Sequence, residues 1–120
     1  MPDGKICYVE IPAADVERSA AFYTAVFGWA TRKRGDGAVA FDDTTGAVSG
    51  TWVRGRPPMR DAGIVTYVMV DSIEATLKKV AAKGGEIAAP RTAIGPGGDA
   101  YALIRDPAGN LVGLYQAPPR

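Results

Sequence analysis

The chain contains no histidine, which removes the usual general base at neutral pH and the commonest metal ligand. Hydrolase machinery that pairs serine or cysteine with histidine is therefore excluded. The single cysteine, Cys7, lies in an apolar run, and we expect a buried, inert thiol rather than a nucleophile. Near it, Tyr8 and Glu10 stand two residues apart, a phenol and a carboxylate with the chemistry for proton transfer.

The first half of the chain predicts the elements that position these residues. Lys5 to Pro12 is a short apolar and β-branched run, typical of a strand. Asp15 is suited to cap a following helix, and Gly28 supplies its stop. One face of this helix carries Val16, Ala20, Tyr23 and Phe27. Turn-forming residues then separate three short strands, near 30–34, 38–41 and 47–54.

The second half repeats this order after a loop-forming linker at 55–63. A strand at 64–70 precedes a helix that Ser72 caps and Gly84-Gly85 ends, and strands follow near 86–92, 99–105 and 111–116. Adding 57 to a position in the first half gives its equivalent, so Asp15 matches Ser72 and Gly28 matches Gly85. We predict one domain with modules at 5–54 and 64–116, because either half alone would bury too little apolar surface.

Composition narrows the partners of this domain. Hydrophobic residues make up 47% of the 120-residue chain and charged residues 22%, which is typical of an ordered globular protein. The formal net charge is +1 with no basic run, so nucleic acid is not expected as a partner. No apolar stretch is long enough for a signal peptide or a membrane span, so we expect a cytoplasmic protein and no membrane partner.

Three motifs carry a resemblance that spans nearly the whole chain. They are Tyr8 to Asp15 followed by Ala21 to Trp29, then Val68 to Ile73, and Asp106-Pro107-Ala108-Gly109-Asn110 before the last strand. Their order resembles the vicinal oxygen chelate superfamily, which includes glyoxalase I, bleomycin resistance proteins and extradiol dioxygenases. The resemblance implies an α+β fold of two βαβββ modules, in which a curved, mostly antiparallel sheet surrounds a cleft and the helices lie outside.

The same resemblance locates the metal ligands of the family on positions that hold other residues here. The His expected before the first helix is Tyr8, and its equivalent in the second module is Val65. The carboxylates expected on the last strand of each module fall near Gly50 and on Gly113. Valine and glycine have no ligand atoms in their side chains, and a phenol is a poor substitute for imidazole. We therefore predict no metal and no cofactor.

If Tyr8 marks the cleft side of its strand, alternation places Glu10 beside it and directs Cys7, Val9 and Ile11 toward the helices. The resemblance and alternation together predict five ligand-binding residues, Trp52, Arg54, Tyr67, Met69 and Tyr115. Such a pocket suits a small, partly aromatic ligand with a few polar groups. Glu10 and Tyr8 are the catalytic candidates, but a structural ion pair of Glu10 with Arg54 or a nearby Lys is an open alternative.

Three functions fit this pattern. The first is a metal-free protein that binds a small organic molecule, as the bleomycin resistance branch of the family does. The second is an enzyme, either a metal-independent lyase or isomerase using Glu10 and Tyr8 or a degenerate glyoxalase or dioxygenase. The third is an interaction module with an aromatic surface. In each case we predict a homodimer, with Trp29, Trp52 and the strand edges as its contact surface.

Overall fold

The chain forms two equivalent series of one strand, one helix and three more strands. The computed structural model describes residues 3–61 and 63–119. The elements in these ranges are β1 (Tyr8–Pro12), α1 (Val16–Phe27), β2 (Ala30–Lys33), β3 (Val39–Asp42), β4 (Ser49–Val53), β5 (Tyr67–Met69), α2 (Ile73–Ala82), β6 (Glu86–Ala93), β7 (Ala100–Arg105) and β8 (Leu111–Gln116). Within these ranges, none of the helices has the length and hydropathy needed to cross a membrane.

Each series builds one four-stranded sheet. The first sheet has the order β1-β4-β3-β2 and the second β5-β8-β7-β6. In both sheets the first strand pairs parallel to the last, and the remaining pairs are antiparallel. The predicted α+β class and the two βαβββ modules are therefore confirmed.

Local capping explains where the helices begin and end. The Asp15 side chain accepts the amide hydrogen of Arg18 at 3.2 Å, and Gly28 adopts φ 75° just after the last turn of α1. Ser72 plays the same part for α2, accepting from Ala75 at 3.2 Å. Gly84 follows α2 with φ 92°. Because these signals are local, the sequence predicted both helices to within a residue or two.

Both helices and one face of each sheet share a single hydrophobic core. Its densest part is a group of stacked aromatic rings from the first module. Trp29 lies between Phe41 and Tyr23, with ring centroids 4.5 and 4.9 Å away. Trp52 lies 4.9 Å from Phe41. The prediction that Trp52 forms a dimer surface is wrong, because this ring is 3% exposed inside the chain. Trp29 is half-buried in the same group of rings, and its part in a dimer stays a prediction.

A buried polar network ties the turn between β7 and β8 to the first module. The Tyr23 hydroxyl donates to Asp106 at 2.8 Å, and Asn110 Nδ2 donates to the carbonyl of Pro12 at 2.7 Å. Asp106 also accepts the backbone amides of Ala108 and Asn110. Burial, followed by the charge of Asp106, raises the pKa of Tyr23 and keeps this phenol a donor. The predicted hairpin turn at 106–110 thus also holds the two modules together.

Candidate functional site

The faces of the two sheets that lie opposite the helices, here called outer faces, are partly exposed to solvent. Residues paired across neighbouring strands share a face, so pairing assigns each side chain to one side. Val9 and Ile11 pack against the core, as alternation predicts, which leaves Tyr8 and Glu10 on the outer face. Cys7 is exposed, contrary to the prediction of a buried thiol, because β1 begins only at Tyr8.

The structure corrects the position assigned to Trp52. Trp52 pairs with Ile11 and is only 3% exposed, so it belongs to the core and not to the predicted ligand-binding face. The outward-facing position of β4, expected from the sequence at Gly50, is one residue further along the strand. Gly50 also faces inward, where an added Cβ would lie 2.4 Å from the Phe41 ring. Thr51 is the outer-face residue, because it pairs with Glu10.

Glu10 forms an ion pair on this outer face. Its Oε1 lies 2.9 Å from Nη2 of Arg56, and about half of each side chain is exposed. Glu10 therefore forms a structural ion pair, the alternative to a catalytic role, although its partner is neither of the predicted ones, Arg54 or a lysine. Arg54 is exposed just beyond the end of β4. A half-exposed carboxylate in an ion pair differs from the desolvated carboxylate typical of a general base.

Tyr8 belongs to a second polar group on the same face. Arg34, in the turn between β2 and β3, donates from Nη1 to the Tyr8 hydroxyl oxygen at 2.9 Å. The same guanidinium makes a bidentate pair with Asp36, which also accepts the amide of Ala38. These bonds, that of Arg34 first, lower the pKa of Asp36 from 3.8 to about 2. The Asp36 carboxylate is the main cause of a raised pKa for Arg34.

The outer face of the second sheet is mainly aromatic and aliphatic. Tyr67 and Met69 pair with Gly113 and Tyr115, so these residues share one side, as predicted. Tyr101 and Leu103 extend the surface from β7. The Tyr67 ring lies across Gly113, where an added Cβ would be 2.3 Å from Cδ2. Tyr67 is 49% and Met69 71% exposed, so a broad apolar surface faces solvent.

The side chains at the family's ligand positions do not fit a metal ion. Tyr8 already accepts a hydrogen bond from the cationic Arg34. The Tyr67 ring fills the space beside Gly113, and the Thr51 hydroxyl donates to the carbonyl of Val39 at 2.6 Å. Among residues 3–61 and 63–119, no three His, Cys, Asp or Glu side chains are grouped as ligands. This donor set offers no anionic or imidazole cage for a divalent cation.

Residues 5–114 match the model of the Glyoxalase/Bleomycin resistance protein/Dioxygenase superfamily. This chain belongs to that superfamily. Its fold is also that of a glyoxalase/bleomycin resistance protein/dioxygenase family enzyme from Burkholderia phytofirmans, with a TM-score of 0.76, 17% identity and coverage of 94% of this chain and 98% of the other.

Two relatives by sequence carry related names. A putative glyoxylase, CFP32, from Mycobacterium bovis is 32% identical over 117 residues, which cover 92% of this chain and 44% of the relative. A glyoxylase-like domain-containing protein from Didymella fabae is 28% identical over 127 residues, covering 96% of this superfamily member and 95% of the fungal protein. The chain thus spans under half of the mycobacterial relative and nearly all of the fungal one.

Sequence reasoning missed the two arginines that hold Tyr8 and Glu10. Arg34 and Arg56 lie in turn and linker segments, and nothing in their spacing indicates which strand residue they reach. Two small cavities beside α1, of about 70 and 360 Å³, involve none of the predicted site residues. The residues that line them are Ala14, Asp15, Arg18, Ser19, Ala21, Phe22, Ala25, Lys83, Pro107 and Ala108. Of the predicted residues, Trp52 lies in the core and Arg54 beyond the end of β4, and the others lie on the outer faces instead.

Proposed function

We infer that this superfamily member binds a small organic molecule, without a metal ion, in a cleft that forms between two copies of the chain. The observation that carries this proposal is the pair of complementary open faces. The outer face of the first sheet is polar and ion-paired, whereas that of the second is aromatic and apolar. In this arrangement the first sheet of one copy faces the second sheet of the other.

The exposure of the second sheet supports a homodimer. Large apolar surfaces on a soluble protein are usually covered by a partner or a ligand. Met69 and Tyr67 are exposed at 71% and 49%, and Ile64 just before β5 at 88%. Each copy has one face of each kind, so a two-fold axis creates two identical clefts and leaves neither face uncovered.

The proposed ligand is a ring system with few polar groups. Tyr67 and Tyr115 offer flat surfaces on which a planar ring can stack. On the facing sheet, Tyr8 and the Glu10–Arg56 pair offer hydrogen bonds at two separate points. Arg54 lies at the far end of β4, where it would contact only a long ligand.

Binding is favoured over catalysis because of the state of Glu10. Its carboxylate is half exposed and paired with Arg56, unlike the buried carboxylate typical of a general base. The names of the mycobacterial and fungal relatives suggest a glyoxylase-type reaction for those proteins. The side chains of this chain at the family's metal positions give that reaction no support here. An exposed free Cys7 suits a reducing compartment, so we place the function in the cytoplasm.

A thermal-shift screen against a panel of aromatic metabolites and antibiotics tests this proposal, because a ligand that binds only the native state raises Tm by mass action. Each compound is measured with and without a chelator. We expect a subset of ring compounds to raise Tm equally in both conditions. A fall in Tm caused by the chelator without any compound would contradict the metal-free site. A panel in which no compound raises Tm would count against small-molecule binding.

A further inference from the structure

We propose that the Tyr8 hydroxyl is a hydrogen-bond donor for a neutral carbonyl oxygen of the ligand, and that Arg34 positions it for this task. The inference rests on the proposed function and adds the chemical class of the ligand's polar group. It makes Arg34 a positioning residue that acts through Tyr8 and needs no contact with the ligand.

The direction of the Tyr8–Arg34 hydrogen bond carries the argument. A guanidinium has five N–H donors and no acceptor, so the phenol oxygen must be the acceptor at 2.9 Å. The hydrogen of the Tyr8 hydroxyl is then directed away from Arg34. Within residues 3–61 and 63–119 this hydroxyl donates to no protein atom. A free donor therefore stands on the outer face, at the position where the family places a metal ligand.

Asp36 holds this arrangement rigid. Arg34 binds Asp36 through Nε and Nη2, a two-point contact that fixes the plane of the guanidinium and directs Nη1 toward Tyr8. The amide of Ala38 anchors Asp36 in turn at 3.1 Å. A positive charge donating to the phenol oxygen polarises the O–H bond, which makes Tyr8 a stronger donor than a phenol in water.

Charge balance around Tyr8 selects a neutral oxygen rather than an anion. Both arginines of β2 and the turn after it already have a carboxylate partner: Arg34 pairs with Asp36, and Arg32 pairs with Asp42 at 3.0 Å. A ligand carboxylate would meet these two fixed carboxylates and no unpaired guanidinium beside them. Arg54 is distant, since it lies five residues from Ser49, the partner of Tyr8, or about 16 Å along an extended strand. A carbonyl oxygen accepts from Tyr8 without this repulsion.

Three small ring compounds test the proposal: acetophenone, benzoate and benzylamine, which carry a neutral carbonyl, a carboxylate and a cation. Dissociation constants are measured by NMR titration of the ¹⁵N-labelled full chain. We expect acetophenone to bind more tightly than the other two. Tyr8→Phe should weaken acetophenone about five- to tenfold, the loss of one neutral hydrogen bond, and leave benzylamine unchanged.

Variants of the arginines separate positioning from general structure. Arg34→Met should weaken acetophenone by about as much as Tyr8→Phe, and Arg34→Lys should recover part of that loss. Arg32→Met, which removes a paired cation of the same sheet without touching Tyr8, should leave the constant for the neutral acetophenone unchanged. Melting curves establish that each variant is folded. If Tyr8→Phe does not fold, the Arg34 variants decide alone.

The outcomes separate this inference from the proposed function. Binding of acetophenone that is unaffected by both Tyr8→Phe and Arg34→Met would overturn the donor role and leave the cleft in place. Tighter binding of benzoate than of acetophenone would overturn the charge argument and the inference with it. If none of the three compounds binds at millimolar concentration, both this inference and the small-molecule cleft are contradicted.

Discussion

The two outer faces have the same topology but opposite chemistry. At equivalent places in the two modules, the first sheet carries Glu10 beside Thr51, and the second carries Tyr67 beside Gly113. The glycine is what allows the aromatic ring to lie flat on the second sheet. On the first sheet, Arg34 from a turn pairs with Asp36, and Arg56 from the linker pairs with Glu10. One scaffold therefore supplies a surface for apolar stacking and a separate surface for hydrogen bonding.

The largest expected effect distinguishes the inward glycine of the first sheet from the outward one of the second. In Gly50→Ala the new methyl would meet the carbonyl oxygen of Val9 at 2.2 Å and the buried Phe41 ring, and neither can move away. We expect a loss of about 3 kcal/mol in the free energy of unfolding. In Gly113→Ala the half-exposed Tyr67 ring can swing into solvent, so the loss should be about 1 kcal/mol. Urea denaturation measures both, and equal losses would contradict the assignment of faces.

Removing apolar surface from the second sheet should weaken the dimer. The double variant Tyr67→Ser with Met69→Ser loses two large side chains that we place in the contact between copies, and dissociation should become at least about a hundredfold easier. Sedimentation equilibrium measures this change. The matched control is Lys78→Ser, at an exposed position of α2 on the helix side of the molecule, away from both outer faces. A double variant that associates as well as the wild type would remove the second sheet from the interface.

The two sides of β1 should respond differently to substitution. Ile11→Ala opens a cavity beside Trp52 and should cost about 2 kcal/mol of unfolding free energy. Glu10→Gln breaks a half-exposed ion pair and should cost less than about 1 kcal/mol. We expect it to change ligand affinity instead. An effect of Glu10→Gln on unfolding as large as that of Ile11→Ala would contradict the outer position of Glu10.

The smallest expected effect is a loss of stability at acid pH, which we expect from Asp36 in the first sheet's turn and not from the second sheet. The pKa of Asp36 is lowered to about 2 from 3.8, so its contribution to stability is present above pH 3.8 and is lost as the pH falls through about 2. Asp36→Asn should lower Tm slightly at pH 6, and this difference should be much smaller at pH 2. The proposed contact residues of the second sheet, Tyr67, Met69 and Tyr115, include no carboxylate to respond in this range. A difference in Tm that is as large at pH 2 as at pH 6 would show that Asp36 does not act through its charge.

Local signals explain which features the sequence predicted and which it did not. Helix caps, the turn at 106–110 and the alternation along β1 depend on near neighbours, and each was predicted correctly. The side of the sheet on which Trp52 lies depends on pairing with β1, and a shift of one residue reverses it. The contacts of Arg34 and Arg56 join residues 26 and 46 positions apart, which no local pattern indicates.

The central claim is that a polar face of one copy meets an apolar face of another. Intermolecular NOEs test it most directly, in a sample that mixes ¹³C-labelled and unlabelled chains at equal concentration. We predict contacts from Tyr8 and Glu10 of one copy to Tyr67, Met69 or Tyr115 of the other. A mixed sample that gives no intermolecular NOE between these residues, together with a monomeric sedimentation profile, would contradict the shared cleft.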